Sequence, residues 1–461
     1  MGKVQDKYLI VDPFQIIEEG FHKQKNQVSE SIFSLCNEYV GVRGTFEEGS
    51  SLPSLIGTYF NGIYEYALED TPNAYKGIIK RTHFTINSVN FFKLKIKINN
   101  TLLDLGVVDI DNFKRILDMR NGLLTRKFIW KHKDADIDIK FERILDMNNC
   151  HNALQRISFI PNNDVQLDID FCLDNSILHW GKDNYYKDDK TYEKDNCYGI
   201  SAKTLSTHQS IASFMKIDCQ FTPTKITHLE KEVIVSYSIK LSKNNKTTFV
   251  RYINNNIDKH NDNNIDELVN NAYKDVINLS QYSFDEIVNN NKKYYDEVWE
   301  KSDIEIIGND EDQQGIRYCI FQLEQNYHGY AEDNNIGAKG LTGEAYSGHA
   351  FWDSETYCLP YYLFSNKKAA LDLLMFRFNT LPQAKERAKM LDCVGACYPI
   401  ATRNGEEGCN LWQHASCQFQ PTTAVGYAIF HYMNIYNDRE FMQTYGLEMM
   451  MEICKFLLRV H

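Results

Sequence analysis

Short runs in which apolar and polar residues alternate restrict the folds open to this chain more than any other feature. Leu94-Lys95-Ile96-Lys97-Ile98, Ile137-Asp138-Ile139-Lys140-Phe141 and Leu167-Asp168-Ile169-Asp170-Phe171 all show it, and Val233-Ile234-Val235-Ser236-Tyr237 belongs with them. Successive side chains of a strand point to opposite faces, so a period of two turns one face to a core and the other to water. Spread over so long a stretch, these runs predict a large antiparallel β-sandwich. The strands are expected to give out near Tyr252. The Asn- and Asp-rich stretch 254–271 then reads as a linker or an exposed loop.

The last third has helical spacing instead. Ser283-Phe284-Asp285-Glu286 has the form of a capping box and predicts a helix to about Trp299. Ile316, Cys319, Ile320, Leu323 and Tyr327 fall on one helix face. Further helices are predicted over 367–378, from Thr380 and Pro382 through Met390, and over 423–437. Asp438 caps one more, with Phe441, Leu447, Met450, Met451 and Cys454 available to its buried side. Strands first and helices second imply separate β and α domains, not βαβ units. The expected division is a β-sandwich domain over 1–265, a helical linker over 266–302 and a helical toroid of (α/α) type over 303–461.

With 461 residues, 43% of them hydrophobic, the chain can build more than one core. A net charge of −12 gives no basic footprint for nucleic acid. Residues 1–10 lack the apolar segment of a secretion signal, and no apolar run is long enough to span a membrane. The twelve cysteines contain no CxxC pair and read as reduced core thiols of a cytoplasmic protein.

Three glycine-rich loops carry the candidate chemistry. The first, 37–49, contains Glu47 and Glu48; adjacent carboxylates rarely share a face, so a structural turn is favoured over a catalytic pair. The second, 335–355, sets Lys339, Glu344, His349, Trp352 and Asp353 among glycines. A sugar needs a flat aromatic surface for the C–H face of its ring and a carboxylate to accept from paired hydroxyls. Trp352 and Asp353 supply both at neighbouring positions. A buried indole with Asp353 capping the following helix explains the same residues equally well. The glycine spacing matches neither phosphate-loop nor dinucleotide fingerprints. The third loop, 404–417, repeats the theme with Trp412, Gln413 and His414. Cys409, His414 and Cys417 match no zinc spacing, and nothing marks Cys409 as an activated thiol.

Several long segments resemble one family. NEYVGVRGTFEEG (37–49), GTYFNGIYE (57–65), RILDMRNGLLTR (115–126) and FERILDM (141–147) are similar to the N-terminal part of glycoside hydrolase family 65 phosphorylases. NIGAKGLTGEAYSGHAFWDSETYCLPYYL (335–363), NTLPQAKERAKML (379–391) and YPIATRNGEEG (398–408) are similar to the catalytic part. The resemblance implies an N-terminal super-β-sandwich, a helical linker and an (α/α)6 barrel, here incomplete. It implies phosphorolysis of an α-glucosyl disaccharide or glucoside, with inorganic phosphate as co-substrate and no cofactor or metal, giving inverted β-glucose 1-phosphate. A homodimer is compatible with it.

Under the resemblance, Trp352 and Asp353 contact the glucosyl ring, and His349, Lys339, Glu344 and Tyr327 are further cleft candidates. Trp412, Gln413 and His414 face the acceptor. Asn410-Leu411-Trp412-Gln413-His414 lacks the carboxylates of the maltose phosphorylase motif, which points to a kojibiose, nigerose or glucosylglycerol type of acceptor. The family's general acid is a Glu in a Gly-Pro-Asp/Asn-Glu-Tyr motif, and no such motif occurs here. No catalytic residue is therefore assigned, and the chain by itself is expected to be inactive, since losing the acid alone forfeits roughly 10²–10⁴ in rate. The competing readings are a family 65 hydrolase that attacks with water and a non-catalytic carbohydrate-binding remnant.

Overall fold

In the computed structural model, which describes residues 7–70, 75–262 and 264–460, the chain divides into two units. The first takes residues up to 58 together with 87–204 and 208–322; the second takes 59–86, 205–207 and the chain from 323 on. Part of the 1–10 segment and His461 lie outside the described residues.

In the first unit, ten described strands form one sheet, with Leu123–His132, Ala135–Leu145, Asn152–Pro161, Thr247–Asp258 and Ser210–Asp218 adjacent in that order. A second sheet pairs Leu94–Ile98, Val165–Asp174 and Glu232–Leu241 antiparallel. The alternation survives in the burial: Leu94, Ile96 and Ile98 are buried, and Lys95 and Lys97 are exposed. Aromatic rings join the two sheets. Phe249 of the larger sheet lies 5.6 Å from Phe171 and 5.5 Å from Tyr237 of the smaller. Between the sheets Arg251 donates to the carbonyls of Lys93 and Cys172, and burial lowers its pKa to about 9. The β-sandwich expected from the alternation is therefore present.

Glu47 and Glu48 are structural. Arg126 donates to Glu48 Oε1 at 2.6 Å and to Glu47 Oε2 at 2.7 Å, and its guanidinium lies 4.1 Å above the Phe141 ring. All three charged side chains are buried. Such a group holds its loop firmly because removing one partner would strand a buried charge.

The linker expected over 254–271 is not found. The strand Thr247–Asp258 continues through Asn254, Asn255 and Asn256, all buried. Their side chains bond one another and the neighbouring strands. Asn254 Nδ2 donates to Asn152 Oδ1 at 2.9 Å, Asn256 Nδ2 to Asn254 Oδ1 at 2.7 Å, and Ser213 Oγ to Asn255 Oδ1 at 2.7 Å. A helix then starts at Ile265, where the Asn264 side chain accepts from Asp266 N. Leu268, Ala272 and Val276 of this helix pack on Ile144, Leu154 and Phe214 of the sheet. The capping box at Ser283 and Glu286 forms as expected and opens the helix Phe284–Ser302.

The helix Asp310–Asn326 keeps Ile320 of the predicted face buried and Ile316 and Leu323 half-buried, but its buried stripe is shifted. Gln313, Arg317, Ile320, Phe321 and Glu324 are buried, and Cys319 is exposed. Buried polar side chains shift the stripe: Arg317 is neutralised by Asp303 through two 2.7 Å bonds, and Gln313 bonds the backbone of Ile304 and Ile306.

The second unit is helical, with Leu359–Ser365, Lys367–Asn379, Leu381–Met390, Gln420–Tyr436 and Leu447–Val460. Its core includes Tyr327, Tyr362, Leu373, Tyr398, Ile429 and Ile453. The last helix buries Met449, Ile453 and Phe456, whereas Leu447, Met451 and Cys454, expected inside, are exposed. A π-turn at Met442–Gly446 is the cause. Its wider turn inserts a residue and rotates everything after it relative to Phe441. The same unit contains the hairpin Tyr64–Leu68 with Arg81–Thr85, which precedes most of the sandwich in sequence.

The twelve cysteines are all unbridged, but Cys319, Cys417 and Cys454 are exposed, so they are not all core thiols. Among the described residues, no helix is long and apolar enough to cross a membrane.

Candidate functional site

The second glycine-rich loop is fixed at both ends. Near its start, Leu341 N donates to Asn326 Oδ1 at 2.7 Å, and Gly340 leaves no room for a Cβ against that amide. Near its end, Ala350 and Thr402 exchange backbone hydrogen bonds of 2.8 and 3.0 Å, which ties the second loop to the third. In between, Tyr346, Ser347 and Gly348 have φ of 57°, 56° and 67°. Three successive left-handed residues fold the chain back sharply, and a Cβ on Gly348 would sit 2.8 Å from Thr85.

His349 anchors this return. Its Nε2 lies 2.6 Å from the carbonyl oxygen of His83, and the two rings are 4.8 Å apart. His83 Nε2 accepts from Arg403 N at 2.9 Å, and Arg403 also donates to Gly348 O at 2.8 Å and Asn61 Oδ1 at 3.2 Å. Burial, outweighing the His83 carbonyl, lowers the His349 pKa to about 4, and burial also depresses His83. Both rings are therefore neutral at physiological pH. His349 is 5% exposed and acts as a buried strut of the loop.

Directly after this strut come Trp352, half-buried, and Asp353, exposed. Asp353 begins the π-turn Ser354–Cys358 without a side-chain cap bond, so the capping alternative does not hold. The Trp352 ring lies 6.1 Å from that of Tyr357. The turn itself is held by Glu355, which is buried and doubly hydrogen-bonded to Arg377. The local arrangement presents an indole and a carboxylate at the surface, on a backbone pinned from beneath by His349 and Glu355.

The other candidates are less closely grouped. Lys339 is exposed, with its ammonium 5.4 Å above the Tyr346 ring, and Glu344 is half-buried. Tyr327 has no exposed surface and packs edge-on against Tyr362, so it belongs to the helical core and not to a cleft wall. Trp412, Gln413 and His414 stand on the short helix Trp412–Cys417. Trp412 Nε1 donates to Lys76 O at 2.7 Å and its ring is 5.1 Å from Tyr75; Gln413 and His414 are exposed. Burial pushes the Cys409 thiol up, which argues against its use as a nucleophile.

Sequence reasoning missed Glu355, Arg377, His83, Arg403 and Glu407. Glu407 is buried and accepts from the backbone N–H groups of Ile400 at 2.9 Å and Cys409 at 3.0 Å; burial still raises its pKa to about 7. Glu355, Arg403 and Glu407 lie within the quoted motifs, but only their partners distinguish them from surface charges.

Comparison with known proteins agrees with this architecture. The pattern described as glycosyl hydrolase family 65, N-terminal domain, matches residues 16–298, and that of the family 65 central catalytic domain matches residues 317–460. The chain is 29% identical to a maltose phosphorylase of Bacillus subtilis (strain 168) over 99% of its own length and 61% of the relative's. It is 30% identical to an alpha,alpha-trehalose phosphorylase of Thermoanaerobacter brockii and 27% identical to a kojibiose phosphorylase of the same organism, covering 96% of this chain and 60% of each relative. A solved structure named "Putative kojibiose phosphorylase from human microbiome" superposes with a TM-score of 0.96 at 54% identity, over 98% of this chain and 60% of that one. The chain thus spans about 60% of the length of these relatives. With both patterns matched in order, over the strands and then the helices, the chain belongs to glycosyl hydrolase family 65.

Proposed function

We propose that the protein carrying this chain catalyses reversible phosphorolysis of an α-glucosyl disaccharide or glucoside, releasing β-glucose 1-phosphate with inversion. The observation that carries this reading is the surface pair Trp352 and Asp353: an aromatic face for the glucosyl C–H side and a carboxylate for its hydroxyls. Phosphate is already an anionic nucleophile, so the reaction needs one acid to protonate the departing oxygen and no second carboxylate to activate water. That acid is not assigned to any residue here. Inorganic phosphate is the co-substrate and no cofactor takes part. Trp412 and Gln413 contact the acceptor, and a neutral amide in place of an acid favours a kojibiose, nigerose or glucosylglycerol type over maltose. The 54% identity to a protein named for kojibiose supports the same order. We read the helices of the second unit as part of an (α/α)6 barrel, and twelve unbridged cysteines fit a cytoplasmic protein.

The test is glucose 1-phosphate release from kojibiose, nigerose, glucosylglycerol and maltose by the complete enzyme, with and without phosphate. Phosphate-dependent release, strongest with one of the first three, is the expected result. Equal glucose release without phosphate would make the protein a hydrolase.

A further inference from the structure

The return of the second loop is a costly piece of backbone. Tyr346, Ser347 and Gly348 hold successive positive φ, and the first two carry side chains that disfavour it. Such a conformation persists only where its surroundings over-determine it. The bonds inside the return are ordinary turns: Ser347 N donates to Glu344 O and His349 N to Tyr346 O, both at 3.0 Å. Two consecutive residues of the third loop hold it from outside, beside the bond from His349 to His83. Thr402 exchanges backbone bonds with Ala350, and Arg403 Nη1 donates to Gly348 O at 2.8 Å. Gly337 also crowds this oxygen, since a Cβ there would lie 3.0 Å from it.

Arg403 has an unusual set of partners. Among the described residues its guanidinium has no carboxylate; Nη1 bonds the Gly348 carbonyl and Nη2 bonds Asn61 Oδ1 at 3.2 Å. Its backbone N donates to His83 Nε2 at 2.9 Å. Burial lowers its pKa to about 10, so it keeps its charge at neutral pH. A guanidinium taken out of water is ordinarily neutralised by an acid, as Arg377 is by Glu355. Here the charge instead strengthens a bond to one backbone oxygen. Asn61 and His83 fix the arginine in turn, so the carbonyl is tied to a frame outside its own loop. Gly348 lies four residues before Trp352 and five before Asp353. The exchange between Ala350 and Thr402 fixes one point of this segment, and the attachment at Gly348 fixes its direction. With one attachment the segment can pivot, and a displacement of about 1 Å can cost roughly 10²-fold in rate.

We propose that Arg403 is a positioning residue for the glucosyl site: its bond to Gly348 O fixes the direction in which the chain carries Trp352 and Asp353. The proposal rests on the reading that this pair contacts the glucosyl ring. The test is a double-mutant cycle on kcat/KM for glucose 1-phosphate release by the complete enzyme. The substrate is the best cleaved of the four glucosides named above, and urea midpoints are measured alongside. Arg403→Met should lower kcat/KM about tenfold or more in the native background. In the Asp353→Asn background the factor should be smaller, because part of what the arginine places is already gone. A merely structural role predicts the same factor in both backgrounds. A smaller loss than this in the native enzyme, or equal factors in the two backgrounds, overturns the proposal. If Arg403→Met does not fold, Arg403→Lys, which keeps the charge but not the fork to Asn61, is judged by the same comparison of backgrounds. Unchanged kcat/KM in Asp353→Asn removes the glucosyl reading and the proposal with it. A drop in Asp353→Asn with equal factors for the Arg403 variant removes the proposal alone.

Discussion

Arg377 holds Glu355 through two hydrogen bonds, Nε to Oε1 at 2.6 Å and Nη2 to Oε2 at 2.9 Å, with both side chains sealed from water. The pair joins the π-turn after Asp353 to the helix Lys367–Asn379. Removing one member strands the other as a buried charge. Arg377→Met should therefore cost roughly 3–5 kcal/mol of unfolding free energy. Urea denaturation of the single variants and of the Glu355→Gln, Arg377→Met double variant checks this. The double variant should lose less than the sum of the singles. An additive loss would mean that the two residues act separately.

Asp353 is exposed and caps nothing, so its carboxylate contributes little to the fold. Asp353→Asn should leave the urea midpoint unchanged. In the complete enzyme it should lower kcat/KM for phosphorolysis about 10- to 100-fold, the worth of a hydrogen bond from a sugar hydroxyl to a charged acceptor, roughly 1.5–3 kcal/mol. Unchanged kinetics would remove this carboxylate from the glucosyl site.

His349 titrates at about 4 in the folded chain, against 6.5 for an ordinary imidazole. Between those values the unfolded chain takes up a proton that the folded chain refuses. The contribution of this group is therefore fully present above pH 6.5 and lost as pH falls toward 4. Thermal midpoints measured from pH 7 to pH 4.5 should fall more steeply for the native protein than for His349→Asn. Parallel curves would show that the ring is protonated in the folded state.

Gly408 faces the two histidines, and a Cβ there would lie 2.7 Å from His349 Cε1 and Nε2 and 3.0 Å from His83 Cε1. Both rings are buried in contact with each other and cannot swing aside. Gly408→Ala should destabilise by about 1–3 kcal/mol through overpacking, read as a lower denaturant midpoint, whereas alanine at the exposed Gly315 meets nothing within 4 Å. Equal tolerance at both positions would show that the histidine pair is loosely packed.

The sequence showed most where one side of an element meets water. In Leu94–Ile98 and in the run Ile137 to Phe141 the polar residues follow the more exposed face directly. It misled where polar residues are buried together. Asn254, Asn255 and Asn256 have a loop's composition and a strand's position, because their amides bond within the sheet. It also misled where the helical period is broken: the π-turn at Met442–Gly446 changes which residues of the last helix face inward, and composition does not announce it.

The candidate site was half legible. Trp352 and Asp353 stand out because an indole beside an acid in a glycine-rich loop is unusual chemistry. His349 was visible as a residue but not as a strut, since its partner His83 is 266 positions away. Gly348 takes the positive φ of the sharp return, but Tyr346 and Ser347 share it with no glycine to signal it. Glu355 and Arg377 look like surface charges until the fold closes over both.

The hairpin Tyr64–Leu68 with Arg81–Thr85 is encoded among the strands yet supplies His83 and its neighbour Asn61 to the helical unit. A gene exchange that swapped one family member's sandwich for another's would carry those residues along with it. The recipient's Arg403 and His349 would then meet a foreign partner. A chimaera that keeps residues 59–86 with the helices, instead of with the strands that flank them in sequence, preserves these contacts.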